Sequence, residues 1–229
     1  MKQITVIVLL AATICAACTK NSINDVSLNY SFNLLNPSAV LSTEATSGSP
    51  VTAGTNGSIN WTGAVVNISQ ADFSASHAGT TTALTSTNLY SINPFKPDSL
   101  SGTVAIPSGV YENLRFKITM NESAVNPPAI LSGTYIESSG TRIPVTVTLN
   151  SVISFVKEAQ RIEVTSGKYI AKVTIELNAL VKGLTAADFG QTTRTGPNNA
   201  IVVNYNTNRA LYEKLKARFA NTVSIKVSK

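Results

Sequence analysis

Residues 112–120 read ENLRFKITM. Leu114, Phe116, Ile118 and Met120 fall on one side of an extended chain. Arg115, Lys117 and Thr119 fall on the other, because successive side chains of a strand point to opposite faces. The stretch predicts a strand that buries one face and wets the other, as in an antiparallel sheet covered on one side. Outward from it the same alternation recurs. AILSGTYI (129–136), the turn ESSG (137–140) and TRIPVTVTL (141–149) read as a hairpin. RIEVTSGKYIAKVTIEL (161–177) reads as two strands around Ser166-Gly167, with Ala171, Val173, Ile175 and Leu177 on one face of the second. Pro107-Ser108-Gly109 is a turn, since Pro fixes φ and Gly accepts φ > 0. SGTVAI (101–106) before it is a strand.

The rest of the chain fits this plan. VSLNYSFNLL (26–35) predicts a strand, and residues 36–58, rich in Ser, Thr, Gly, Ala and Pro, a long loop. Residues 59–76 predict one long strand or two joined by a bulge. The stretch 77–88 is polar, and the surroundings of His77, SASHAGTTT, read as a flexible loop. Pro94 and Pro97 keep the turn at 95–100 out of a central strand. Gly183–Phe189 predicts one helical turn with Thr185 as its cap. AIVVNY (200–205) predicts a strand. RALYEKLKARFA (209–220) is the one convincing helix, with Leu211, Leu215 and Phe219 four apart as an apolar stripe. Val223, Ile225 and Val227 close the chain as a strand. About ten strands and one late helix predict an all-β fold, an antiparallel β-sandwich with a C-terminal amphipathic helix. Residues 26–229 are expected to form a single domain, with two small sandwiches split near residue 100 as the alternative.

Composition agrees with an extracytoplasmic β protein. Charged residues are 13% of the chain, against about a quarter in ordinary domains, and Ser and Thr take their place. Charge is also unevenly placed. Residues 18–206 hold eleven basic and eleven acidic residues, whereas 207–229 hold six basic ones and only Glu213. The reading of this tail is a solvated helix face, with an anionic membrane surface or acidic partner as the alternative.

Both cysteines stand in TICAAC (13–18), a literal C-x-x-C. A redox pair needs a folded setting that lowers one thiol pKa, and a zinc site needs further ligands. Cys15 sits at the end of an apolar run, and His77, the only histidine, is remote in sequence. Lys2, the apolar residues 4–14 and the small exit Ala16-Ala17 instead form a secretory signal over 1–17. The run is too short to span a bilayer's hydrocarbon as a helix.

Ala16-Ala17-Cys18 resembles the lipobox of bacterial lipoproteins, departing from it at Cys15, where that family carries an aliphatic residue. The resemblance implies that Cys18 becomes the first mature residue and carries the lipid, with 18–25 as tether. Thr19 in place of Asp implies the outer membrane. The second half is also similar to uncharacterised β-sandwich lipoproteins of Gram-negative bacteria. That likeness rests on IPSGVY (106–111), LSGTY (131–135), GTRIPV (140–145) and NTNRALY (206–212), motifs of strands and turns without chemistry.

No residue pattern points to catalysis. A nucleophile needs a base, and His77 stands alone. Glu112, Glu163 and Glu176 alternate onto solvent faces; Asp72 and Asp188 have apolar surroundings, and Asp188 reads as a cap. No metal or cofactor motif is present, and the expectation is a non-enzymatic protein held to a membrane by lipid, meeting a glycan or an envelope protein and no nucleic acid. Asp98-Ser99-Leu100 resembles the short acceptor signal for O-linked glycans in some of these bacteria, making Ser99 a candidate site. Trp61, Tyr90 and Phe95 are the candidate aromatic platform for a sugar, with burial in the core as the alternative for Trp61.

Overall fold

The longest strand, β3 (Ser58–His77), is the hub of the fold. In this computed structural model, which describes residues 26–42, 56–77, 79–96, 100–106, 108–165 and 168–228, the first half of β3 pairs with β2 (Ser38–Val40) and β7 (Ala129–Ile136). Its second half pairs with β4 (Thr80–Ile92) and β6 (Gly109–Met120). Register shifts at Trp61/Gly63 and Ser74/Ser76 make it one strand with bulges. Bulges bend a strand and increase its twist, which lets a single strand serve four partners.

Two sheets result. The larger runs β11 (Arg194–Gly196), β12 (Ala200–Val203), β8 (Arg142–Leu149), β7, β3, β6, β9 (Ile153–Val164), with β2 and β4 attached to β3. The smaller runs β13 (Val223–Ser228), β10 (Lys168–Glu176), β1 (Val26–Leu35), β5 (Leu100–Ile106). The fold is all-β with few helices, in mixed sheets that curl as a half-barrel. One contiguous buried cluster draws on both sheets, from Phe32, Val173 and Ile225 to Trp61, Phe116 and Val147.

The expected alternation on β6 is present: Leu114, Phe116, Ile118 and Met120 are buried and Arg115 is exposed. The β7–β8 hairpin and the closing strand also form as the sequence implies. Residues 38–40, inside the stretch expected as a loop, form β2, and Leu177, expected on a strand face, begins a helix; three larger features also differ. Two pairings, β1 with β10 and β8 with β12, are parallel, so the sheets are not purely antiparallel. Alternation reveals which face is buried but carries no direction, and strands far apart in sequence have no hairpin to impose one. The two strands around residues 166–167 do not pair with each other: β9 joins β6 in the larger sheet, and β10 joins β1 and β13 in the smaller.

The third difference is β4. The polar stretch after His77 is a strand, not a loop. Thr is β-branched and suits the extended backbone, and an edge strand needs few apolar residues. Only Leu84, Leu89 and Ile92 reach the core from it. His77 is held at the end of β3, its Nδ1 2.9 Å from the Val110 carbonyl and its ring 5.1 Å from that of Tyr111.

Close backbone approach positions Trp61. A Cβ on Gly133, opposite Trp61 in the β3–β7 ladder, would meet the Asn60 carbonyl at 2.5 Å and the Trp61 Cα at 3.0 Å. Only glycine leaves β3 and β7 their spacing there.

Candidate functional site

Three short helices gather at one side of the larger sheet: α1 (Leu177–Val181), α2 (Ala186–Gly190) and α3 (Arg209–Phe219). Helix α3 seats Leu211, Tyr212, Leu215 and Phe219 in the core and contacts β8, β12 and α1. Between α2 and the start of α3 lies an open cleft of about 230 Å³, lined by Asp188, Gln191, Thr192, Asn208, Arg209 and Lys214.

The cleft follows from its local sequence. Thr185 caps α2, and Asp188 completes a capping box. The Thr185 backbone N–H donates to Asp188 Oδ2 at 2.9 Å, and Lys214 of α3 donates to Oδ1. Tyr135 of β7 stacks on Phe189 at 4.9 Å and donates from its hydroxyl to the Ala186 carbonyl at 3.3 Å, which fixes α2 to the hairpin. Asn208 stands just before α3 in the left-handed region, with φ 55°. Its side chain does not cap the helix. Its Nδ2 donates to the Thr193 and Val202 carbonyls, both at 2.8 Å, and its Oδ1 accepts from the Thr193 N–H at 2.7 Å. That amide ties the segment after α2 to β12 and so sets the width of the cleft.

Burial alone would raise the Asp188 pKa. The Lys214 hydrogen bond, the Thr185 N–H, the Lys214 charge and the Thr185 hydroxyl outweigh it, and the carboxyl is held below its ordinary value. Such a group contributes stability above its unfolded pKa and loses it as pH falls through the lower folded value. The expected result is that Asp188→Asn lowers the urea midpoint at pH 6, that the gap to wild type narrows as pH falls below the ordinary carboxylate range, and that it closes only below the lowered folded pKa, where both side chains are neutral. A gap that persists unchanged in acid would assign the effect to packing instead.

The four basic residues of α3 are engaged with neighbours. Arg209 lies over the Tyr205 ring at 4.5 Å, Lys214 holds Asp188, and Lys216 pairs with Glu213 at 2.9 Å. Arg218 donates to the Lys182 and Lys214 carbonyls at 3.1 and 2.9 Å. Helix α3 therefore presents cations already engaged with neighbours, rather than a free basic surface.

The aromatic candidates do not form a platform together. Trp61 is 1% exposed and its ring belongs to the core. Phe95 is half-buried and packs against the core cluster. Tyr90 alone is open, 43% exposed, with its hydroxyl on Asn88. Asp72 accepts from Gln70 at 2.7 Å and Thr85 at 2.8 Å, as a strand-to-strand tie. Cys18, the signal, the tether and Ser99 lie outside the described residues. Among the described residues no group of three or more His, Cys, Asp or Glu is placed to hold a metal ion, and no helix is long and apolar enough to cross a membrane. The cleft was not legible in advance: T-x-x-D signals the cap, but nothing in sequence spacing brings Lys214 or Asn208 to it.

No family model, no curated protein and no solved structure matches the chain.

Proposed function

We propose that this chain is a non-catalytic, lipid-anchored outer-membrane protein of a bacterium, serving as a structural, adhesive or binding module. Its body is read as a two-sheet sandwich in which antiparallel pairing dominates, a reading supported by the buried cluster shared between the sheets. The feature that carries the functional reading is the resemblance of Ala16-Ala17-Cys18 to a lipobox; the position of β1 sets how far from such an anchor the body would sit. Among the described residues the first pair is Val26 opposite Ile106 of β5, and the next residue stands opposite Lys168 of β10. Residues 19–25 separate that strand from Cys18, and the eight Cα steps from Cys18 to Val26 reach at most about 28 Å. A chain anchored at Cys18 holds this body against its membrane. Both oxygens of Asp188 are engaged, Oδ2 by the Thr185 N–H and Oδ1 by Lys214, which suits a structural role for this carboxylate.

A second reading is capture of a glycan. The mixed amide, hydroxyl and charged lining of the cleft favours it, since such groups suit sugar hydroxyls; Trp61, being buried, does not.

Fractionation of cells carrying wild type or Cys18→Ser tests the anchor. The expected result is wild type in the outer-membrane fraction and Cys18→Ser in the soluble one, with added protease reporting which side of the membrane the body faces. Equal partitioning of the two would overturn the reading.

A further inference from the structure

The edges of the two sheets differ in charge. Strand β9 borders the larger sheet and carries Lys157, Glu158, Arg161 and Glu163; β11 at the opposite end is three residues long and begins with Arg194. In the smaller sheet the edge strand β13 carries Lys226. Charged or very short edges are the usual protection against pairing with another chain. Strand β4 lacks both devices. It pairs only with β3 among the described strands, runs for 13 residues as TTTALTSTNLYSI, and contains no charged residue and no proline. The next strand, β5, is also an uncharged edge, and Lys96 and Asp98 in the connecting turn are the only charges between Gly79 and Ile106.

We propose that β4 is a self-association edge, which pairs antiparallel with β4 of a second copy about a two-fold axis. An isologous pair sets each residue of the strand against a residue of the same strand. On β4 such a pair sets no charge against another. A two-fold axis at Leu84 sets Thr81 against Thr87, Thr82 against Ser86 and Ala83 against Thr85. Hydroxyl and β-branched pairs of this kind are favourable across strands. Thr81, Ala83, Thr85 and Thr87 are exposed, so the seam is accessible. Asn88 and Ser91, at φ 60° and 58°, bend the far end and confine pairing to the first part of the strand. Two lipid-anchored copies, held in one membrane plane, would meet at high local concentration.

The test uses the full chain in detergent, followed by sedimentation across a concentration series. Ala83→Lys/Thr87→Lys and Ala83→Glu/Thr87→Glu alter two exposed positions for which no side-chain hydrogen bond is described; unchanged melting temperatures establish that both variants fold. The expected result is a concentration-dependent dimer for wild type, with slowed amide exchange confined to residues 80–87. Each charged variant alone is expected to be monomeric, and their equimolar mixture to regain the dimer. A wild type that stays monomeric at high concentration overturns self-pairing and leaves the edge to a foreign strand. A dimer that survives both charged pairs, or that the mixture fails to restore, places the interface elsewhere and also overturns it.

Discussion

Phe219→Ala is expected to destabilise the fold by about 3–5 kcal/mol, the range for removing a fully buried aromatic side chain. Phe219 has no exposed surface. It ends the apolar stripe of α3, meets Phe155 of β9 with centroids 6.3 Å apart, and its carbonyl accepts from the buried Thr222 hydroxyl at 2.7 Å. The chain around it is constrained, because 3-10 residues and then β13 follow directly. The cavity therefore has little room to collapse. Equilibrium urea unfolding checks this: the midpoint falls while the slope is kept. Lys216→Ala on the same helix breaks only an exposed pair with Glu213 and is expected to cost under about 1 kcal/mol. If the two variants shift the midpoint equally, α3 does not anchor the core as described.

Asn67→Ala is expected to cost nearly as much, through hydrogen bonds rather than volume. Asn67 is 4% exposed and sits where β3 passes from β7 to β4. Its Nδ2 donates to the Pro127 carbonyl at 2.7 Å and its Oδ1 accepts from the Ser91 N–H at 2.8 Å. Its own N–H donates to the Pro128 carbonyl at 3.0 Å. Truncation removes the partner of two backbone groups, at about 1–3 kcal/mol for each left unsatisfied and buried. Asn67→Asp separates the two halves: a carboxylate still accepts from Ser91 but has no hydrogen to offer Pro127. Because the new carboxylate is buried and faces the Pro127 carbonyl, Asn67→Asp is expected to be at least as destabilised as Asn67→Ala at neutral pH, so the amide at Ser91 and not the midpoint tells the two apart. Amide exchange at Ser91 should quicken in Asn67→Ala and stay slow in Asn67→Asp. Unchanged exchange at Ser91 in both would show that the side chain is not the link between β3 and β4.

What the sequence disclosed was local. The stripe Leu211, Leu215, Phe219 locates α3, because helical periodicity is written in consecutive residues, and Thr185 with Asp188 marks the start of α2 for the same reason. Alternation located β6, β7 and β8. Partners were not disclosed. Nothing in residues 26–35 states that β1 lies parallel to β10, since register and direction depend on which far-off strand offers a matching apolar face. β4 was missed because its pattern is Thr and Ser against Ala and Leu, with too little contrast in hydrophobicity to register as alternation. The cleft was hidden for a related reason. Asn208 stands at a helix start where Asn ordinarily caps, yet its amide is spent across two segments instead.

The lipid anchor is the central functional claim, and the mass of the N-terminal peptide tests it most directly. Wild-type protein is extracted from membranes in detergent, digested, and the peptide that begins the mature chain is weighed. The account predicts a peptide starting at Cys18, heavier than its residues by a thioether-linked diacylglycerol, with no species retaining residues 1–17. A peptide that starts at another residue, or an unmodified Cys18, would contradict it.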